Sequence, residues 1–452
     1  MIGLEIHGYI DTKEKLFCKC KSIHGVKLTK PNVHICPVCT AQPGAKPMLP
    51  NKDAVDKAIQ IALILNCKIN QKLIWQRKHY DWPDLPKGYQ NTLSGPHAFP
   101  VGESGKFLGI GIREAHLEED PAAWNPKTGE IDYNRSGSPL IEIVTEPDFS
   151  SSQEVVDWIK QLLATLGYIK ALDKNSGIKA DVNVSLPELK GVRIEIKNVN
   201  SLKNVKTAIE SEVARQKSEG IAKKQETRRF DEAKGTTIKM REKEGAEDYR
   251  FISDPDLPLM NIEKSRVEKI KSALPETPQE KLKRLIKKYK IENKYAEILI
   301  KKIEIAEFFE KIIEKTNPKL ASQWVTIELL SVLNYNKKEL EDVDIKPEHF
   351  IELLKLIENK KITELKAKDI LRSWKEKSSS PESEAKKNVQ ISDTGEIEKV
   401  AKEIIKENSK AVEDYKNGKM ESLNFLIGQV MQKTNKRADF KTAREVLAKL
   451  LK

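Results

Sequence analysis

Three stretches of the chain alternate apolar and polar residues with the period of two that is typical of a half-buried β-strand. In the first stretch, residues 3–10, leucine and isoleucine share one face while Glu5 and His7 share the other. The same alternation recurs at residues 178–185 and 192–198. Strands of this kind suit an antiparallel sheet with one apolar face packed down and one polar face open to solvent or ligand.

Helical spacing of apolar residues interrupts these strands at about 51–66, 151–166 and 201–218. The second of these helices follows the serine run 150–152, which is a typical N-terminal capping signal. Strands and helices do not repeat as βαβ units, so residues 1–260 are predicted to form an α+β domain.

The pattern of apolar and polar residues changes after Pro258, where the remaining segments show apolar residues at helical spacing with Lys and Glu between them. Residues 377–383 are polar and predict a linker. We expect domain boundaries near 275–293 and 380–388. The predicted helical segments are 278–316, 320–336, 345–375 and, in a small closing module, 395–452.

The two parts of the chain also differ in net charge. The whole chain has 452 residues and a formal net charge of +12, of which residues 261–452 hold +9. A basic, helical second part favours contact with a polyanion such as RNA. A solvated helical surface rich in Lys and Glu explains the charge equally well, so charge alone does not decide between them.

We expect the protein to lie in the cytoplasm, without membrane association. No apolar run approaches the roughly 20 residues that span a bilayer, and the N-terminus has no signal-peptide pattern. Five cysteines in so long a chain do not suggest a secreted disulfide framework.

Four of the cysteines form two close pairs. Cys18 and Cys20 precede Cys36 and Cys39, and four thiolates at this spacing can close a tetrahedral structural zinc site. A disulfide is the competing interpretation, which a cytosolic setting disfavours. Nearby His24 and His34 could replace one ligand, whereas Cys67 lies in an apolar helix and is predicted to be a small core residue.

Acidic residues and histidines stand in several apolar strands, where charge is costly without compensation. Glu142 has only apolar neighbours in 139–144, and His116 and Glu118 share one face of a predicted strand that Glu119 opposes. With Glu5 and His7 these groups could converge on one Mg²⁺ bridging nucleotide phosphates. A salt bridge or a hydrogen-bonded core position is the alternative for each residue alone.

Residues 77–89 interleave basic, aromatic and proline residues, which fits a rigid loop that grips a phosphate or a base. A solvated loop with aromatic anchors is equally compatible. The sequence contains no GxxxxGK[ST] motif and no complete dinucleotide fingerprint, so any ATP site would be of an unusual kind.

At these residues the sequence resembles the B-subunit family of tRNA-dependent amidotransferases. The motifs run in family order from residue 2 to about 431, with the weakest resemblance at 293–385. They are residues 2–7, 83–90, 116–120, 133–144, 195–201, 225–231, 248–250 and 423–431.

The resemblance implies a cradle-like catalytic domain at 1–292, a helical domain at 293–385 and a small helical tail domain that binds tRNA at 386–452. It implies a heterotrimer with an amidase A subunit and a small C subunit. ATP would phosphorylate the side chain of misacylated Glu-tRNA(Gln) or Asp-tRNA(Asn), and ammonia from the A subunit would displace the phosphate. The implied cofactors are ATP and Mg²⁺, beside the structural zinc.

The resemblance also assigns roles to individual residues. Metal and catalytic candidates are Glu5, His7, Glu118 and Glu142, with Glu119 in reserve and Lys78 as a further catalytic group. Candidates for contact with ATP or the tRNA acceptor end are Lys78, Tyr80, Lys87 and Arg135. Polar strand faces contribute further cofactor-binding candidates, Asp181, Asn183, Lys197 and Asn198, which with Asn200 are expected to line the same cradle.

Three positions depart from the family pattern: Trp82 stands for an expected Tyr, residues 179–181 for Arg-Cys-Asp, and residues 251–254 for a Tyr-Phe-Pro-Asp type segment. The related archaeal E subunit is expected to carry a large inserted domain, for which the motifs leave no room. Two other classes of protein compete with this interpretation. The acidic cluster argues against a non-catalytic zinc-containing RNA-binding protein, and the basic tail argues against a stand-alone ligase for a small molecule.

Overall fold

A computed structural model of the chain describes residues 1–23, 30–173, 177–189, 191–222, 224–242, 249–382 and 394–451. Of Asn198, Arg241 and Glu242 only the backbone is described. His24, Asp248 and the expected boundary at 385/386 lie outside these residues. The chain divides into two compact units, Met1–Thr277 and Pro278–Lys452. This division lies within the range 275–293 expected for the first domain boundary, and ahead of residue 292, where the resemblance ends the catalytic domain.

The described part of the first unit contains one large, mainly antiparallel sheet and two small sheets of two strands each. In the described residues its strands are β1 (Ile2–Tyr9), β2 (Lys68–Ile69), β3 (Lys72–Leu73), β4 (Gln76–His79), β5 (Tyr89–Thr92), β6 (Gly102–Phe107), β7 (Ile110–Glu119), β8 (Ala123–Trp124), β9 (Ile131–Asp132), β10 (Pro139–Thr145), β11 (Ile178–Val184), β12 (Ile194–Val199), β13 (Glu226–Asp231), β14 (Thr236–Glu242), β15 (Arg250–Ser253) and β16 (Met260–Asn261).

Strand β1 lies at the centre of this sheet. The order of the main path is β14-β13-β12-β11-β1-β10-β7-β5-β4-β15, with β6 pairing to β7 and β2 to β6. The N-terminal strand is thus covered on both edges, by β10 and β11. This arrangement confirms the antiparallel α+β prediction and brings sequence-distant strands beside Glu5 and His7.

One pair in the sheet is parallel. Strands β12 and β13 run in the same direction, which a chain achieves only with a crossover connection. Helix α3 (Leu202–Glu219) supplies that crossover. The alternating pattern of 192–198 predicted the strand but not the direction of its second neighbour.

Helices cover the apolar face of the sheet. They are α1 (Lys52–Ile64), α2 (Ser152–Tyr168), α3 and α4 (Lys264–Ser272). Leu4 and Ile6 of β1 are at most 2% exposed and share one core with the inner faces of these helices. Ser151 caps α2 by accepting a hydrogen bond from the Glu154 amide, 3.2 Å away. The three helices predicted in this half are confirmed.

The described part of the second unit is helical and contains two separate hydrophobic cores. The first core runs from Leu285 to Trp374, and the second from Ile397 to Leu451. The helices are α5 (Pro278–Tyr289), α6 (Asn293–Leu299), α7 (Ile303–Ile313), α8 (Pro318–Gln323), a π-helical segment (Trp324–Leu329), α9 (Leu330–Tyr335), α10 (Pro347–Glu358), α11 (Glu364–Ser373), α12 (Thr394–Glu407), α13 (Ser409–Lys416), α14 (Glu421–Lys433) and α15 (Phe440–Leu450).

Helix α5 belongs to the core of the second unit, because Leu285 is fully buried there. The structure therefore assigns residues 278–292 to the helical part, whereas the resemblance placed them in the catalytic domain. Within the described residues, no helix combines the length and apolarity needed to cross a membrane.

Candidate active site

The polar face of the sheet gathers its histidines and carboxylates at the centre, through the pairing of three strands. His7 of β1 stands opposite Glu142 of β10, and Glu142 stands opposite His116 of β7. Directly opposed residues of antiparallel strands project to the same face, with Cβ atoms about 4.5–5.5 Å apart. The pairing therefore aligns three groups that come from distant parts of the sequence.

Glu142 lies between the two imidazoles. Its Oε2 atom is 3.3 Å from Nε2 of His7 and 3.3 Å from Nε2 of His116. Burial opposes the carboxylate, but the two histidines outweigh burial and hold the pKa of Glu142 well below its usual range. Burial lowers the pKa of each imidazole, and the Glu142 carboxylate, joined at His116 by Glu114, more than reverses this, raising the pKa of His7 to about 9 and that of His116 to about 10.

Glu118 completes this group. Ligand atoms of His7, Glu118 and Glu142 lie within 4.8 Å of one another. Burial and the charge of Glu142 raise the pKa of Glu118, while Lys78 acts in the opposite direction. Oε2 of Glu118 is buried and makes no hydrogen bond within the described part of the chain. An unsatisfied buried oxygen beside a second carboxylate and an imidazole fits a hard cation such as Mg²⁺.

Glu5 belongs to a second acidic group on the other side of β1. Its carboxylate lies within 4.8 Å of those of Asp181 and Glu195. Asn183 donates from Nδ2 to Oε1 of Glu5 at 3.1 Å, and Lys197 lies 3.0 Å from Asp181 and 2.7 Å from Glu195. The structure thus divides the four metal candidates. His7, Glu118 and Glu142 converge, whereas Glu5 lies in a neighbouring group whose carboxylates pair with Lys197.

Lys78 of β4 approaches the first group from the far side of β7. Burial lowers the pKa of Lys78, but Glu118 and Glu142 raise it above its usual value. The ammonium also lies over the ring of Tyr249, 4.7 Å from its centroid, and Tyr80 packs edge-on against the same ring. A cation and aromatic rings therefore border the carboxylates.

Arg135 reaches the same polar face through Asp120. Its Nε lies 2.9 Å from Oδ2 of Asp120, which also accepts a hydrogen bond of 2.6 Å from the hydroxyl of Tyr9. Tyr9 follows His7 by two residues on β1, so alternation puts it on the polar face, and its hydrogen bond brings Asp120, just after β7, to the same face. Arg135 is consequently fixed at the edge of the candidate site.

Lys87 occupies a different place. It forms an ion pair with Glu119, whose side chain lies on the opposite face of β7 from Glu118. The two residues line a cavity of about 270 Å³ together with Gln90 and Asp120. Lys87 and Glu119 are therefore not among the groups that converge around Glu142.

The remaining cradle candidates are dispersed. Asn200 is exposed beyond the end of β12. The side chain of Asn198 lies outside the described residues, so its predicted contact with a ligand stays a prediction.

The four cysteines converge as the spacing predicted. The Sγ atoms of Cys18, Cys20, Cys36 and Cys39 all lie within 4.8 Å of one another. Zinc bound by four thiolates at about 2.3 Å requires sulfur–sulfur separations of about 3.8 Å, so the donor set fits such an ion. His34 is not part of this group, and Cys67 lies apart in the core.

Several residues of the site are not among those to which the resemblance assigns a role. His116 and Glu195 lie directly in the two groups, although the alternation had already put each on a polar strand face. Tyr9 and Asp120 fix Arg135 through hydrogen bonds. Pairing between distant strands decides these contacts, and a single sequence carries no signal for such pairing.

Known proteins match the chain over nearly its whole length. Three relatives, each named as the B subunit of an aspartyl/glutamyl-tRNA(Asn/Gln) amidotransferase, come from Methanococcus maripaludis strain C6, Methanocaldococcus jannaschii and Methanopyrus kandleri. They are 44%, 45% and 43% identical to the chain. The alignments cover 99%, 99% and 97% of this chain and 97%, 97% and 95% of the relatives.

Two family descriptions match parts of the chain. Residues 1–268 match the GatB/GatE catalytic domain, and residues 307–451 match the GatB domain. The first match contains both acidic groups and the four cysteines, and the second lies in the helical unit. Because these matches span most of the sequence, the chain belongs to the GatB/GatE family.

Proposed function

We propose that this chain is the component of a glutamine-dependent tRNA amidotransferase that activates and amidates the misattached amino acid. Its substrates are Glu-tRNA(Gln) and Asp-tRNA(Asn), the pair in the names of its relatives. The observation that carries the proposal is the group His7–Glu142–Glu118 beside Lys78, on the polar face of a sheet in the family's catalytic domain.

The reaction needs an activating step because a carboxylate is a poor acyl donor. An oxygen of the Glu or Asp side chain attacks the γ-phosphorus of ATP, which forms an acyl phosphate and releases ADP. Ammonia then attacks the acyl carbon, loses a proton, and expels inorganic phosphate as the carbon–oxygen bond breaks. The product is Gln-tRNA or Asn-tRNA.

His7, Glu118 and Glu142 would hold Mg²⁺, and Glu5, on the same strand as His7, belongs to the neighbouring acidic group. When bound, Mg²⁺ supplies charge neutralisation for the phosphoryl oxygens. Lys78 and Arg135 border this face with fixed positive charge and would orient the phosphates of ATP. Tyr80 supplies an aromatic edge there, and Lys87 contributes from the neighbouring cavity.

The helical unit would bind the tRNA. Residues 278–452 hold 38 Lys and Arg against 30 Asp and Glu, a net charge of +8, which suits a phosphate backbone. An amidase A subunit would release ammonia from glutamine, and a small C subunit would complete the heterotrimer. The four cysteines would hold a structural zinc ion, and the complex would work in the cytoplasm.

The test is an amidation assay with the chain and its A and C partners, Mg²⁺, ATP, and purified Glu-tRNA(Gln) or Asp-tRNA(Asn). We expect amide formation on the tRNA that depends on ATP and that glutamine or free ammonia supports. Free glutamate and aspartate serve as the control substrates. Amidation of the free amino acids alone would favour a small-molecule ligase, and tight tRNA binding without ATP turnover would favour a non-catalytic RNA-binding protein.

A further inference from the structure

Lys15 is a lysine that the proposed chemistry does not use, and its side chain is among the most completely buried in the protein. It is 1% exposed, and it precedes Cys18 by three residues in the turn after β1. A buried ammonium costs several kcal/mol, on the order of the whole stability of a domain, unless charge and hydrogen bonds compensate it. Its surroundings therefore need an explanation.

The hydrogen bonds of Lys15 are complete, but its counter-charge is unusual. Nζ donates to the carbonyl oxygens of His34 and Tyr133, at 3.0 and 3.1 Å, and lies 3.5 Å from Sγ of Cys39. Among the residues that the structure describes, no carboxylate lies within ion-pair distance of Lys15. The sulfur is its candidate anionic partner.

The charge on that sulfur distinguishes the two interpretations of the cysteines. Neutral thiols or a disulfide would leave the buried ammonium without an anion. Four thiolates around Zn²⁺ carry a net charge of −2, which a single adjacent cation halves. The amide of Cys36 also donates to Sγ of Cys39 at 3.2 Å, so two positive donors point at one sulfur.

The same lysine joins the cysteine turn to the loop at 133–138, which leads into β10. The side chain of Asn134 accepts hydrogen bonds from the amides of Val33 and His34, at 2.9 and 2.8 Å. Ser136 donates to the carbonyl of Cys39 at 2.8 Å. This loop carries Arg135, and the strand that follows it carries Glu142.

We propose that Lys15 is a positioning residue: it is the internal counter-ion of a zinc tetrathiolate centre and couples that centre to the 133–138 loop. The inference rests on the zinc centre of the proposed function. By this coupling, the metal holds in place the segment that presents Arg135 to the polar face of the sheet.

The test compares Lys15→Met with Lys13→Met, an exposed lysine two residues earlier. Both variants are prepared in the full chain with its partner subunits. We expect Lys15→Met to release zinc to a chelator at least about tenfold faster than the wild type, since a group that contacts a ligand typically contributes 10–100-fold to metal affinity. Lys13→Met should match the wild type.

Two further measurements extend the test, and the second uses only the wild type, so it does not depend on how Lys15→Met folds. In cobalt-substituted protein, the sulfur-to-cobalt charge-transfer band should move to lower energy in Lys15→Met, because the ammonium stabilises the sulfur lone pairs. Chelating zinc from the wild type should speed amide exchange in 131–138 and leave exchange in 226–231 unchanged.

The outcomes distinguish failure of the proposed zinc centre from failure of the proposed role of Lys15. Wild-type protein that contains no zinc would overturn the proposed zinc centre and this inference with it, and would leave the amidation assay to decide the activity separately. If the wild type contains zinc but Lys15→Met releases it as slowly as Lys13→Met, only the role of Lys15 is overturned. The same conclusion follows if chelation of zinc from the wild type leaves amide exchange in 131–138 unchanged.

Discussion

Asn183 donates a hydrogen bond of 3.1 Å from Nδ2 to Oε1 of Glu5, and this contact ties Glu5 to the acidic group of Asp181 and Glu195. His7 lies two residues further along β1 on the same face, about 6.6 Å away along the strand. The central strand therefore presents one residue to each of two neighbouring groups.

This division predicts unequal effects on metal affinity. Glu142→Gln removes a ligand of the first group, so we expect Mg²⁺ affinity to fall by about 10–100-fold or more. Glu5→Gln leaves that group intact and should change its Mg²⁺ affinity by less than about threefold. Titration with Mn²⁺ followed by electron paramagnetic resonance measures both. Equal losses in the two variants would show that Glu5 and Glu142 share one ion.

A buried polar network at the edge of the sheet predicts a pH-dependent stability. Glu212 of α3 is fully buried and accepts hydrogen bonds from Arg215, Gln216 and Thr237, at 2.6, 2.9 and 2.6 Å. Burial opposes its charge, but these donors outweigh burial and lower the pKa of Glu212 below 4.5. Its stabilisation should be complete above about pH 4.5 and lost as the pH falls through the folded-state pKa.

Glu212→Gln should therefore destabilise this region by about 3 kcal/mol at neutral pH, since it removes one partner of a buried ion pair. The acid slope of the unfolding free energy should become shallower. Hydrogen exchange of the full chain, read in peptides from α3 and β13, measures both. Glu219→Gln is the matched control on the same helix, because its exposed ion pair with Arg215 is worth at most about 1 kcal/mol. Similar effects of the two substitutions would contradict the account.

Much of the fold follows from the sequence because its signals are local. Alternation in 3–10 and 178–185 defines β1 and β11, and the serine run at 150–152 defines the start of α2. Local patterns also put His116 and Glu118 on one strand face. They do not fix which strands pair, and pairing alone decides that Glu5 lies with Asp181 and Glu195.

Lys15 shows the same limit more sharply. A lysine in a turn is ordinarily solvated, and its sequence context gives no sign that it is buried. Burial results from long-range contacts with Tyr133 and with the cysteine turn. The domain boundary has a similar cause: whether Leu285 packs with the sheet or with the later helices depends on tertiary contacts.

The tail core offers a matched pair of neighbouring residues. Leu426 on α14 is fully buried, whereas Phe425 is 50% exposed. Leu426→Ala should lower the unfolding free energy of the tail by about 2–5 kcal/mol, because it opens a cavity in the core. Phe425→Ala should change it by about 0.5 kcal/mol or less. Urea denaturation, followed by hydrogen exchange in residues 397–451, distinguishes them, and comparable losses would refute the described core.

The cysteine centre predicts metal content. Elemental analysis of the purified chain should find about one zinc ion per chain. Cys39→Ser should lower that content, since Cys39 contributes one of four converging sulfurs. Cys67→Ala should leave it unchanged, because Cys67 packs in the core away from the centre. Zinc that persists in Cys39→Ser, or disappears in Cys67→Ala, would contradict the assigned ligands.

The most direct test of the central claim is the rate of tRNA amidation by Glu142→Gln in the assembled complex, with ATP and saturating ammonia. Glu146→Gln is the control, because Glu146 follows the same strand and its side chain is 42% exposed. We expect Glu142→Gln to lose at least about 100-fold in rate while tRNA binding and glutaminase activity persist, and Glu146→Gln to retain the wild-type rate. Wild-type amidation by a correctly folded Glu142→Gln complex would contradict the assignment of this face as the site of ATP-dependent activation.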